Sequence, residues 1–228
     1  MTPLILAALA FVGAHFLLSS TGLRGWLVGR IGERGFAGLF TAQAFALIIW
    51  FVMAFRAAPR DRFLWEIPGI AHLALTLMPF VLVLAVGGFA RPNPSAVMVP
   101  APGAAWQPKG IFTVTRHPVM WAFALWALLH VLANGDVAGL VFFGAFALLA
   151  LLGTLAIDAK KRRTWPAESW QAFTRSTSNL PFLAIAGGRT RFDARGIGWK
   201  PVVIAAVLYA GIVFWFHPQV LGVPLLPG

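Results

Sequence analysis

Six apolar stretches, at about 3–20, 36–55, 68–89, 117–134, 137–157 and 201–218, each approach the roughly 20 residues a helix needs to cross a bilayer. In hydrocarbon every backbone N–H and C=O must be satisfied within the protein, which restricts a chain with six such stretches to a helical bundle. Only 11% of the 228 residues are charged, against roughly 25% in soluble domains, and 59% are hydrophobic. A soluble core could not enclose that much apolar surface. The expected fold is therefore an all-α integral membrane protein, a bundle of about six transmembrane helices forming one domain over residues 1–228, with the lipid bilayer as its partner.

The connections set the order of the helices. Asn134, Gly135 and Asp136 leave room only for a tight turn, so the fourth and fifth spans form an antiparallel hairpin. The loop 90–116 holds Pro92, Pro94, Pro100, Pro102 and Pro108, which exclude a continuous helix, and is expected to lie over the helix ends or re-enter between them. Of the 18 lysines and arginines, all but Arg56, Arg60 and Arg62 fall in alternate loops. The positive-inside bias then places those loops in the cytoplasm and both termini outside, as in a multi-pass protein of a bacterial inner membrane with periplasmic ends. The net charge of +11 is dispersed over these loops, which suits lipid headgroups and gives no reason to expect nucleic acid. No basic residue precedes the first span, so it is expected to persist rather than act as a signal peptide.

Chemistry-bearing residues are few. The chain has no cysteine, which removes disulfides, thiolate ligands, iron–sulfur clusters and covalent haem attachment together. Two histidines, His15 and His130, lie deep within spans, where an ionisable side chain is a functional candidate and neutral imidazole a common metal ligand. A lone intramembrane imidazole can equally donate to a carbonyl and join two helices. Trp126 and Asn134 flank His130 at i−4 and i+4, and His72 is a further candidate at comparable depth. Arg116 and His117 precede Pro118, which suits the first turn of a helix, and stand at the cytoplasmic mouth for a headgroup, phosphate or cofactor edge. His217, before Pro218 at the end of the last span, reads as interfacial. Gly87-Gly88 and Gly187-Gly188 read as helix ends or turns.

The run GIFTVTRHPVMWAFALWALLHVLANGD at 110–136, with AHFLLSSTGLR at 14–24 and SNLPFLA at 178–184, resembles the NnrU family, which includes the 15-cis-zeta-carotene isomerases. That resemblance implies an integral membrane protein with noncovalent haem b, with His15 and His130 as axial and catalytic histidines. It further implies a lipophilic or gaseous small-molecule ligand, a redox or cis–trans isomerase role, or support of nitrite and nitric oxide reduction in denitrification. Where the plant enzymes carry a cysteine shortly before the later histidine, this chain has Ala127, so a Cys–His ligand exchange is impossible here. A second similarity, carried by Arg116-His117-Pro118, Asp158 and the stretch WPAESWQAF at 165–173, is to isoprenylcysteine and phospholipid methyltransferases, which implies S-adenosylmethionine at the cytoplasmic end of the hairpin.

Overall fold

The computed structural model describes residues 1–20, 22–96, 101–103 and 106–225; Pro100, one of the loop prolines, lies outside the described residues. The chain is helical: α1 (Thr2–Ser20), α2 (Gly22–Arg56), α3 (Ile70–Phe89), a 3-10 turn (Gly110–Thr113), α4 (Pro118–Asn134), α5 (Val137–Thr164), α6 (Ala167–Ser176), the short α7 (Leu183–Ala186) and α8 (Ala194–Ile197), and α9 (Trp199–Gly211), which continues as a π-helix over Ile212–Leu221. Five of these segments, α1, α2, α3, α5 and α9 with its π extension, are long and apolar enough to cross a membrane; α4 is apolar but shorter, at 17 residues. The all-α class expected from the sequence is thus present, with five long apolar spans and one shorter apolar helix among the described residues.

Three boundaries depart from the hydropathy pattern. Residues 22–35, with Arg24, Arg30 and Arg34, are helical rather than a loop, and the helix breaks only at Gly32, where φ is 72°. That left-handed conformation is one glycine adopts without a Cβ penalty. An Arg24–Glu33 ion pair of 2.8 Å and the Arg24 guanidinium over the Phe36 ring fasten the arm across the kink. At the other extreme α5 runs on to Thr164, because Ala159 and the Lys160–Arg163 run are good helix formers and cations suit a helix C-terminus. The last span widens into π geometry around Pro218, whose ring cannot donate to the ladder.

The contacts gather the chain into two compact units, Met1–Pro68 with Ala127–Leu152, and Gly69–Trp126 with Gly153–Gly228. In the first, α1 packs on α2, with Leu4, Ala7, Ala8 and Phe11 buried along one face at helical spacing. The segment 57–68 is strapped across the α4–α5 turn. Arg60 binds Asp136 at 2.9 Å and Asn134 at 3.0 Å, Leu64 N–H donates to the Gly135 carbonyl, Val137 N–H donates to the Arg62 carbonyl, and Trp65 Nε1–H donates to the Leu132 carbonyl. Asp136 also caps α5 by accepting from Gly139 N–H at 2.7 Å, satisfying one of the orphan donors of the first turn. Gly135, at φ 67°, passes so close to the Trp65 carbonyl that a Cβ would collide with it.

In the second unit α3 packs on α9, and Tyr209 donates its hydroxyl to the Leu75 carbonyl at 3.0 Å. Gly87 and Gly88 are buried near the end of α3, and a Cβ on Gly88 would lie 2.7 Å from Val119 and 3.0 Å from Pro118. The pair therefore permits close approach of the α4 entrance, beyond marking a helix end. Gly187 follows α7 as its cap and Gly188, at φ 65°, makes the turn expected of it. Asp193 ties two loops together by accepting from Gly110 N–H and Gly196 N–H, and these two bonds hold its carboxyl below the usual carboxylate range.

Candidate functional site

His15 belongs to the first unit and is half-buried on α1. Its Nδ1 lies 2.8 Å from the Phe11 carbonyl one turn earlier. A carbonyl can only accept, so Nδ1 donates, and in the neutral ring Nε2 is the nitrogen with the lone pair. Metal-ligating imidazoles are oriented in the same way, one ring nitrogen held by a carbonyl and the other left to face the metal. Phe11 and Phe40 stand edge-on to the ring, with centroids at 4.8 and 5.5 Å.

His130 lies in the same unit on α4, half-buried, its ring 4.8 Å from that of Phe143 on α5. Consecutive ring contacts connect the two histidines: Phe11 meets Phe146 at 5.1 Å, Phe146 meets Phe142 at 5.3 Å, and Phe142 meets Phe143 at 5.1 Å. The result is an aromatic interior with two imidazoles at its edges. The flanking Gly13 has nothing within 4 Å of where a Cβ would stand. Asn134 turns its amide elsewhere, donating to the His130 carbonyl at 2.8 Å and accepting from Arg60.

The remaining sequence candidates fall in the second unit. His72 is exposed near the start of α3, and Trp126 is half-buried on α4. Arg116 and His117 converge on Asp158 of α5. Arg116 reaches both carboxylate oxygens at 2.5 to 3.1 Å, and His117 Nε2–H donates at 2.8 Å. Asn179 donates to the same carboxylate at 3.2 Å and accepts from Trp121 Nε1–H at 3.3 Å. Thr115, donating to the Asn179 carbonyl, and Arg116 N–H, donating to the Ser178 carbonyl, zip 115–116 along 178–179. His117 is 1% exposed; burial, outweighing the attraction of Asp158, holds its pKa below the ordinary value of 6.5. Its Nδ1 is buried without a hydrogen-bond partner.

The sequence reading missed Gln43, Thr115, Trp121 and Asn179. Gln43 carried a usable signal, as a single carboxamide inside the apolar stretch 36–55; its nitrogen and oxygen are both buried and unpartnered. Asn179 lies inside a stretch already noted for the family resemblance, but nothing local announced its partner. Among the described residues no group of three or more His and carboxylate side chains could hold a metal ion. A metal held by the described residues would have single imidazoles as donors, the kind that suits the iron of a planar tetrapyrrole, and His15 and His130 are the two imidazoles of the first unit.

Residues 3–225 match the NnrU protein family. The 15-cis-zeta-carotene isomerase, chloroplastic, of Arabidopsis thaliana is 30% identical over 169 residues, covering 70% of this chain and 44% of that protein. Its counterpart of the same name in Zea mays is 25% identical over 197 residues, 82% of this chain and 51% of that protein. The chain thus spans about half the length of the curated relatives it matches. No solved structure matches it. The homology to the isomerases is distant, whereas the family match runs nearly from end to end: the protein is a member of the NnrU family.

Proposed function

We propose that this membrane protein holds a noncovalent haem b through His15 and His130 and uses it on a lipophilic or gaseous ligand. The observation that carries the reading is the His15–Phe11 hydrogen bond, which orients the ring through Nδ1 and leaves Nε2 outside that bond, within the unit that also contains His130. Distant homology to the carotene isomerases supports it. When bound, the haem supplies one-electron redox and axial-ligand chemistry at iron. The chain's own part is to present two imidazoles, exclude water with Phe11, Phe142, Phe143 and Phe146, and admit ligand from the bilayer. With Ala127 and no cysteine, no thiolate could hold the iron, and His15 and His130 would be the residues that do. Cis–trans isomerisation of a polyene, the reaction in the relatives' name, is the activity favoured for such an apolar interior. The location proposed is an inner cell membrane.

The visible spectrum of detergent-purified protein from haem-replete cells tests this. Two imidazoles give a low-spin haem with a sharp Soret band and resolved reduced bands, and pyridine extraction yields b-type haem. A colourless preparation overturns the proposal.

A further inference from the structure

Gln43 has no hydrogen-bond partner for either atom of its carboxamide, and both atoms are buried. Phe36, Phe40, Gln43, Phe51 and Ala54 recur at spacings that set them along one face of α2. On that face Phe40 meets the His15 ring and Phe51 meets Phe11, which lies one turn earlier on α1. Gln43, one turn from Phe40 in the direction of Phe51, therefore stands level with the Phe11–His15 turn. The backbone groups around it are committed to helix, and an unpaired amide in apolar surroundings carries a penalty that only a partner removes.

The shape of the missing partner follows from the amide. A single group that satisfies both atoms offers one acceptor and one donor side by side. A carboxylate only accepts, and its charge is disfavoured in hydrocarbon, where burial pushes a carboxyl toward its neutral form. A neutral carboxylic acid satisfies both atoms in one ring: Gln43 N–H donates to the acid carbonyl, and the acid O–H donates to the Gln43 oxygen. We propose that Gln43 binds a protonated carboxyl group of the molecule held at His15. This rests on the haem reading above, under which that group is a propionic acid arm of the haem and Gln43 orients the ring about His15.

The test is a Soret titration of the haem-free, full-length protein in detergent with haem b and with its dimethyl ester, which lacks the acid proton. The wild type is expected to prefer haem over the ester by about tenfold, the equivalent of one or two net hydrogen bonds. Gln43→Met, close in volume and apolar, should bind both equally, losing affinity for haem alone. Gln43→Glu, itself neutral in this setting and again offering donor and acceptor, should restore the preference. A preference that survives in Gln43→Met, or is absent from the wild type, overturns the assignment of Gln43 while leaving haem binding intact. Failure of the wild type to take up either compound overturns the haem reading itself. Thermal unfolding of the haem-free variants completes the test. Removing an unpartnered amide should leave stability level or raised, and a clear loss in both variants would mark Gln43 as a structural residue instead.

Discussion

The Nδ1–H of His15 is donated to the carbonyl of Phe11, 2.8 Å away and one turn earlier on the same helix. A carbonyl oxygen has two lone pairs, so it can accept this donor beside its helix bond, and Phe40 of α2 stands edge-on to the ring so held. If His15 served only to join helices, its hydrogen bond would be expected to leave its own helix. Replacing His15 or His130 by Ala should abolish haem retention or convert the residual spectrum to high spin, since both axial bonds contribute to holding the metal. His217→Ala and the exposed His72→Ala should leave the spectrum unchanged. A loss of haem in His72→Ala, with none in His15→Ala, would move the second ligand to α3.

His117 makes stability depend on pH in a defined direction. Its folded pKa lies below 6.5, so between that folded value and 6.5 the unfolded chain binds more protons than the folded one. Stability is therefore complete above about pH 6.5 and falls as acidification proceeds toward the folded pKa, where the loss levels off. The unfolding temperature in detergent should drop over this window in the wild type. His117→Gln should flatten that part of the profile, and an unchanged profile would dissociate the effect from this imidazole.

Removing the acid of the same cluster has a different outcome. Asp158→Ala leaves the Arg116 guanidinium, 12% exposed, without its partner, and breaking a mostly buried pair in this way costs about 3 kcal/mol or more. The thermal midpoint should fall by several degrees, far beyond the effect of Glu33→Ala, whose exposed pair with Arg24 contributes at most about 1 kcal/mol.

The engagement of Arg116 and His117 by Asp158 also bears on the methyltransferase similarity. With both cationic or donor groups directed at an internal carboxylate, calorimetry with S-adenosylmethionine should register no saturable heat. A saturable signal lost in His117→Ala would reverse the ranking of the two readings.

Gly135 should resist substitution. Ala there meets both the positive φ of 67° and the Trp65 carbonyl, so Gly135→Ala should destabilise by about 2 kcal/mol or more and loosen the strap over the α4–α5 turn. Faster proteolysis at 57–68 in the variant checks this. Equal cleavage rates would show that the strap does not depend on the turn.

Hydropathy made most of the bundle readable, because the requirement for about 20 apolar residues is imposed by the bilayer and not by any particular partner. Pro118 and the Asn134–Asp136 turn were readable for a similar reason, since backbone restrictions act locally. The arm 22–35 was not. Its arginines report a preference for a wet environment, which a loop and a surface helix share, and the Gly32 break is invisible to charge counting. Asp158 was noticed only through a likeness to other proteins; its bonds to Arg116 and His117 join residues 41 and 42 positions apart, a distance over which no periodic pattern carries information. Gln43 was overlooked because one polar residue barely changes the mean of an apolar window, although that isolation is what gives it meaning.

The division of the chain has a bearing on how it is made. The first unit opens at Met1 but needs Ala127–Leu152 to close, and the whole stretch Gly69–Trp126 of the other unit is synthesised in between. Arg60 leaves the ribosome 76 residues before Asp136, the partner that anchors the strap. Helices α1 and α2 thus precede, in the order of synthesis, the α4–α5 residues that complete their unit. Neither unit can be released from the other by a single cut, so two-fragment complementation should recover the protein only when both pieces are supplied together.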